Sequence, residues 1–167
     1  MDLDPAIKFL EKSDDFREWK KKNKLAYFSY ALKITEEKGA DDWQLGFYDS
    51  KSDRITTFVI NGEDIKMRPE EEIFKREDMK VNGIELDKVR LSFEDAIEKA
   101  IDLQKKEYPK DSSVKTIAIL QNIGKFGNVW NITFVTAAFN VLNIKLNATN
   151  GKIIEHKITS VFSFKQA

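Results

Sequence analysis

Few residues in this 167-residue chain belong to types that carry chemistry, and their spacing restricts them further. There is no cysteine and one histidine, His156. That removes thiol catalysis, disulfide scaffolds, Cys-based zinc sites and two-His metal constellations. A catalytic histidine needs a nucleophile and an orienting carboxylate. His156 instead alternates with Ile154 and Ile158, as a structural residue on a strand face would. Gly124-Lys125-Phe126-Gly127 has the G-x-x-G spacing of a backbone clamp. It lies between two strand patterns rather than two helices, so a hairpin turn is expected. Asp49 and Asp53, with Lys51 between them, lack the further oxygen ligands, bend glycine and closing glutamate of a calcium loop. Asp14-Asp15, Asp41-Asp42 and Glu70-Glu71-Glu72 are sequence neighbours that do not set up an acid/base pair. No catalytic residue, metal ligand or cofactor site is assigned.

The candidate binding residues are Trp19, Lys20, Lys21 and Lys22, a small anion-binding patch that equally suits the cationic end of a soluble helix. Trp43 and Trp130 are the most position-specific residues, and core packing is expected of them ahead of a role as exposed anchors. Asn131-Ile132-Thr133 and Asn147-Ala148-Thr149 match the N-glycosylation pattern.

The elements that must hold these residues come from hydrophobic pattern. Hydrophobic residues make up 41% and aromatics 11%, enough for a folded core. Lys and Arg number 28 against 28 Asp and Glu, a balance that argues against nucleic acid as partner. No apolar run reaches the length of a transmembrane helix. Met1-Asp2-Leu3-Asp4-Pro5 has neither a basic nor an apolar leader region, so a cytoplasmic protein is expected if Met1 is the native start. The alternative is an extracytoplasmic protein lacking its signal or anchor.

Weak internal duplication organises the chain. Asp4 precedes Trp43 by 39 residues, and Ser92 precedes Trp130 by 38. A Phe follows each Trp four residues later, and Asn-Gly turns follow at 61–62 and 150–151. Each copy reads as a helix and three strands. In the first, the helix runs from Pro5 to Lys22 with a restart at Ser13, followed by strands at 25–35, 43–47 and 55–60. In the second, a helix opens at Ser92, strands follow at 114–123, 130–136 and 141–148, a turn leads into 153–158, and Val161–Phe164 ends the chain in apolar residues. The intervening charged stretch is an ordered connector, and its Ile73, Phe74, Val81, Ile84, Leu86, Val89 and Leu91 should pack. Alternation places Phe28, Tyr30, Leu32, Trp43, Phe47, Ile97, Ile101, Ile119, Trp130, Phe134, Ile144 and Leu146 in the core. With no βαβ alternation and no Gly-rich strand-to-helix turn, dinucleotide and P-loop sites are unsupported.

The second copy resembles a PepSY domain. The similarity rests on Leu91-Ser92-Phe93-Glu94-Asp95-Ala96-Ile97-Glu98-Lys99-Ala100, on Trp130-Asn131-Ile132-Thr133-Phe134, and on the strand and turn from Leu142 to Ile154. Asn147 and Asn150 depart from the family's commoner Asp and Thr. The resemblance covers 89–157, with a degenerate version at 43–65. It implies an α+β fold of two tandem units, each a helix with a three-stranded antiparallel sheet (PepSY/cystatin-like), at 1–66 and 88–167, joined by a connector at 67–87. It further implies a non-catalytic role, with a peptidase inhibited or regulated as partner. The expected function is therefore a non-enzymatic protein- or peptide-binding module. The alternatives are a small-ligand carrier with a pocket between helix and sheet, and an enzyme built from scattered Asp, Glu, Lys and Tyr.

Overall fold

The computed structural model describes residues 1–39, 41–72 and 80–166, the last three by backbone alone. Among the described residues there are three α-helices, α1 (Leu3–Lys12), α2 (Asp14–Lys22) and α3 (Phe93–Glu107), and eight strands. The strands are β1 (Tyr27–Glu36), β2 (Trp43–Asp49), β3 (Arg54–Asn61), β4 (Asp64–Glu72), β5 (Ser113–Asn122), β6 (Asn128–Thr136), β7 (Asn140–Asn147) and β8 (Ile153–Ser160).

Serine side chains cap the starts of α2 and α3, whereas Asp2 before α1 makes no side-chain cap. Ser13 closes α1 by donating its hydroxyl to the Leu10 carbonyl, and opens α2 by accepting from the Phe16 amide. Ser92 accepts from the Asp95 amide at the start of α3. Such a cap is worth about 1 kcal/mol.

The expected pair of separate helix-plus-three-strand units is overturned. All eight strands form one antiparallel sheet in the order β4-β3-β2-β1-β5-β6-β7-β8. Two causes are visible. β1 and β5 would each have been a free edge, and they pair with each other from Tyr30↔Gln121 to Glu36↔Lys115. Asp64–Glu72, whose first residues follow the Asn61-Gly62 turn, adds a further strand by pairing with β3. From 80 onward the chain returns to the middle of the sheet. Ile84 donates its amide to the Phe28 carbonyl, Asn122 donates its side-chain amide to Gly83, and Asn128 exchanges hydrogen bonds with the Glu85 backbone. Of the residues expected to pack here, Ile84 and Val89 lie against the core, Leu91 is buried and Leu86 is exposed. Ile73 and Phe74 lie outside the described residues.

The core fills one face of the sheet, beneath the helices. Trp43 and Trp130 lie at its centre with ring centroids 6.4 Å apart and Phe93 wedged against both. The two indoles do equivalent work. Trp43 Nε1 donates to the Met1 carbonyl and Trp130 Nε1 to the Leu91 carbonyl, both at 2.9 Å. Each acceptor is the residue just before the N-cap of a helix, so each indole pins a helix start to the sheet.

Five of the expected core residues, Trp43, Trp130, Phe134, Ile144 and Leu146, are buried. Phe28, Phe47, Ile97 and Ile101 are half-buried against the same cluster. Tyr30, Leu32 and Ile119 are not in it. A β-bulge at Ser29, between the pairs Phe28↔Phe47 and Tyr30↔Gly46, shifts the alternation of β1 by one residue. Past the bulge, Ala31 and Lys33 face the helices. Lys33 is 3% exposed. Its ammonium lies 2.9 Å from an Asp41 carboxylate oxygen and 5.0 Å from the ring centres of Trp43 and Phe93, and also donates to the Met1 carbonyl.

A buried cation with a carboxylate partner is weak evidence for stability, because desolvation offsets the attraction. Lys33→Met is therefore expected to leave unfolding stability within about 1 kcal/mol of the parent. Asp41→Ala, which strands the charge, is expected to cost about 1–3 kcal/mol, and adding Lys33→Met should recover most of it. Urea denaturation of the three variants checks this. A costlier Lys33→Met than Asp41→Ala would mean that the cation stabilises the fold.

Candidate functional site

The helices cover one face of the sheet, and the other carries a side-chain pattern of its own. Leu32 and Ile34 of β1 stand opposite Ile119 and Ile117 of β5, a square of aliphatic side chains at the middle of the sheet. All four are half-buried, and none belongs to the core cluster beneath the helices. Tyr30 extends the patch. Its ring lies over Gly46, where a Cβ would come within 2.0 Å of the Tyr30 ring. Its hydroxyl is 2.8 Å from the Thr57 hydroxyl. Burial pushes the Tyr30 phenol above the ordinary tyrosine value, and the Thr57 hydrogen bond and Arg68 offset this in part.

The rim around this patch is polar and internally paired. On one side Arg68 donates to the Gln44 side chain. On the other, Asn143 donates to the side chains of Asn131 and Thr133, and Lys145 meets Glu155 at 2.5 Å. Lys145 holds the exposed Glu155 carboxyl below the usual range. Glu36 and Lys115 pair across the central seam at 3.3 Å. The patch is thus an apolar centre inside a polar rim whose side chains pair with one another. The sequence did carry a signal for it. Ile117-Ala118-Ile119-Leu120 is a continuous apolar run, which marks a strand apolar on both faces.

The residues singled out from sequence are dispersed. Trp19 stacks on Phe16 and meets Phe47 and Phe58 edge-on, so it is packed against the core. Lys20 donates to the Ala26 carbonyl, where it fastens the turn into β1. Lys21 and Lys22 are exposed. Trp19 and Lys22 share a shallow cleft of about 460 Å³ with Asp15, Glu18 and Met67, so acids face it as well as a lysine. His156 pairs with Ile144 on the helix side, its Nδ1 2.6 Å from the Tyr108 hydroxyl at the end of α3. Asp49 accepts from the Lys51 amide and Asp53 from the Tyr48 hydroxyl, so the Asp49–Asp53 loop uses its carboxylates to hold its own turn. Glu70 and Glu72 face Arg54. Gly124 and Gly127 adopt positive φ in a tight turn between β5 and β6.

A second opening, of about 290 Å³, lies where the starts of α1 and α3 meet and is lined by Asp2, Asp4, Arg90, Phe93 and Glu94 among others. Burial, and then the hydrogen bond to Asp2, hold the Glu94 carboxyl above the usual range, and Lys33 pulls it back in part.

No family model matches the sequence. No curated protein matches it either. The fold is similar to that of a crystal structure from Clostridium difficile 630 described as a "putative lipoprotein". The TM-score is 0.58, with 90% of this chain and 97% of that chain covered at 14% sequence identity. At that identity the likeness shows the fold alone. Among the described residues no helix is long and apolar enough to cross a membrane.

Two outcomes are expected at Tyr30. Gly46→Ala should destabilise the chain by about 1–3 kcal/mol through the clash with the ring, and Tyr30→Ala in the same chain should remove most of that increment. A double-mutant cycle by urea denaturation measures it. Because the folded phenol titrates above the unfolded one, its stabilising share is complete below the ordinary tyrosine pKa of about 10 and is lost as pH rises through the folded value. Tyr30→Phe should therefore flatten the alkaline decline of the melting temperature. An unchanged alkaline limb would assign that decline to other groups.

Proposed function

We propose that this chain is a non-catalytic binding module whose ligand is a protein or peptide, and that the helix-free face of the sheet is where the ligand docks. The observation that carries this is the Leu32-Ile34-Ile117-Ile119 square with Tyr30 beside it, an apolar patch on which, among the described residues, no helix packs. A sheet face with an apolar centre suits an extended segment or a second sheet, packed about 10 Å away. The resemblance of the second half to PepSY domains supports a regulatory role, with a peptidase as the class of partner. The carrier reading finds less support, because Trp43, Trp130, Phe58 and Phe134 fill the space between helices and sheet. The "putative lipoprotein" description of the structural neighbour supports a location outside the cytoplasm.

Selection of peptides from a displayed library tests the surface directly. Peptides retained by the parent protein should lose at least about tenfold in affinity against Ile119→Lys, about 1.4 kcal/mol, as expected for a charge placed at the centre of an interface. Ile119 is half-buried on the open face, so the fold should survive, and a thermal melt checks that. Peptides that bind parent and variant alike would move the site elsewhere. Titration of the protein into a panel of peptidases tests the partner class. Unchanged turnover across metallo-, serine and cysteine peptidases would exclude the inhibitory form of the proposal.

A further inference from the structure

An open sheet has two free edges, here β4 and β8, and they are built differently. β4 is blunted. Pro69 has no N–H to offer, Glu70, Glu71 and Glu72 follow it, and Arg54 of β3 ties the first and last of these acids back. β8 contains no proline, and its one bulge, at Ile154, is confined to its start, so residues 155–160 pair regularly with β7. It runs Ile153-Ile154-Glu155-His156-Lys157-Ile158-Thr159-Ser160, and among the described residues its strand partner is β7 alone. Glu155, His156 and Lys157 are exposed. Glu155 stands opposite Lys145 and Lys157 opposite Asn143, both on the helix-free face. His156 and Ile158 stand opposite Ile144 and Leu142, on the helix side.

The β8 edge is complementary to itself. Consider a second copy laid antiparallel along it, related by a two-fold axis through His156. Glu155 then faces the partner's Lys157, and Lys157 faces the partner's Glu155, both within the regular part of β8 that follows the irregularity at Ile154. Moving the axis to Glu155 sets Glu against Glu, and moving it to Lys157 sets Lys against Lys. Opposite charges across a strand pair stabilise and like charges destabilise, so the side chains select one register. The Tyr108 hydroxyl draws the His156 ring toward the end of α3, which leaves the axis clear. The chain already uses such a joint internally. β1 and β5 pair edge to edge, and Glu36 meets Lys115 across that seam.

We propose that two copies of this chain associate through β8, antiparallel and centred on His156, so that their sheets continue as one with all helices on the same side. A closed two-fold pairing of this kind consumes both open edges and ends there, whereas β4-to-β8 joining would run on as a filament.

Charge exchange tests the proposal. Light scattering on the purified parent chain should give the mass of two copies at high concentration. Lys157→Glu and Glu155→Lys each put like charges opposite one another twice per dimer, so each should weaken association by about tenfold or more. An equimolar mixture of the two variants restores opposite charges at both positions and should form the mixed dimer. Both sites are exposed, and a melt of each variant checks folding. A second probe does not depend on these variants. The chain has no cysteine, so His156→Cys should give a disulfide-linked dimer on mild oxidation, and Thr159→Cys, three residues from the axis and so far from its own counterpart, should not. A single-chain mass for the parent at every concentration overturns the proposal, as do a Lys157→Glu variant that assembles like the parent, a His156→Cys dimer that fails to cross-link, and growth into polymers.

Discussion

The structure depends on the seam between β1 and β5. Without it each half would expose a full strand edge, and each would have a sheet too narrow to bury its aromatic residues. Seven register pairs close it, from Tyr30↔Gln121 to Glu36↔Lys115. On the helix side of the seam stand Ala31 and Ala118, whose small side chains leave room above the strands. Trp43, Trp130 and Phe93 fill that room, and the two indole N–H groups reach out to hold the starts of α1 and α3. Strand pairing, core packing and helix placement therefore converge on one line through the molecule.

That convergence has a cost, and Lys33 shows where it falls. The bulge at Ser29 that presents Ala31 to the indoles also turns Lys33 inward. A bare ammonium there would be expensive to desolvate. Asp41 and two aromatic faces make it tolerable. The same shift turns Tyr30, Leu32 and Ile34 outward, so the bulge creates both the buried cation and the apolar patch on the helix-free face. With the helix side filled by Trp and Phe, both proposed contacts fall on outer surfaces: the open face and the β8 edge.

Much of the local structure was legible. Ser13 and Ser92 announce helix starts, the Asn-Gly pairs announce turns, and alternation outlines most strands. The matched spacing of Trp43 and Trp130 pointed to equivalent roles, which the paired indole hydrogen bonds exhibit. The candidate site was much less legible. Lys20, Lys21, Lys22 and Trp19 look like a patch along the chain, yet Trp19 packs inward and Lys20 is spent on a backbone carbonyl. The stripe Tyr30, Leu32 and Ile119 was assigned to the core, because an apolar residue in an alternating strand reads as buried whichever face it occupies.

By itself the sequence determined the types and order of most elements (though not β4), the serine caps of α2 and α3, and the absence of thiol and paired-histidine chemistry, because these follow from local patterns and from composition. Only the tertiary structure decided that there is one sheet rather than two, which face of β1 is covered, and which edge is left open. The physical reason is that strand alternation is symmetric between faces and an edge has no sequence signature of its pairing partner. One extra residue at Ser29 is enough to exchange inside and outside. The pairing of β1 with β5, some eighty residues apart, becomes visible only when both strands are in place.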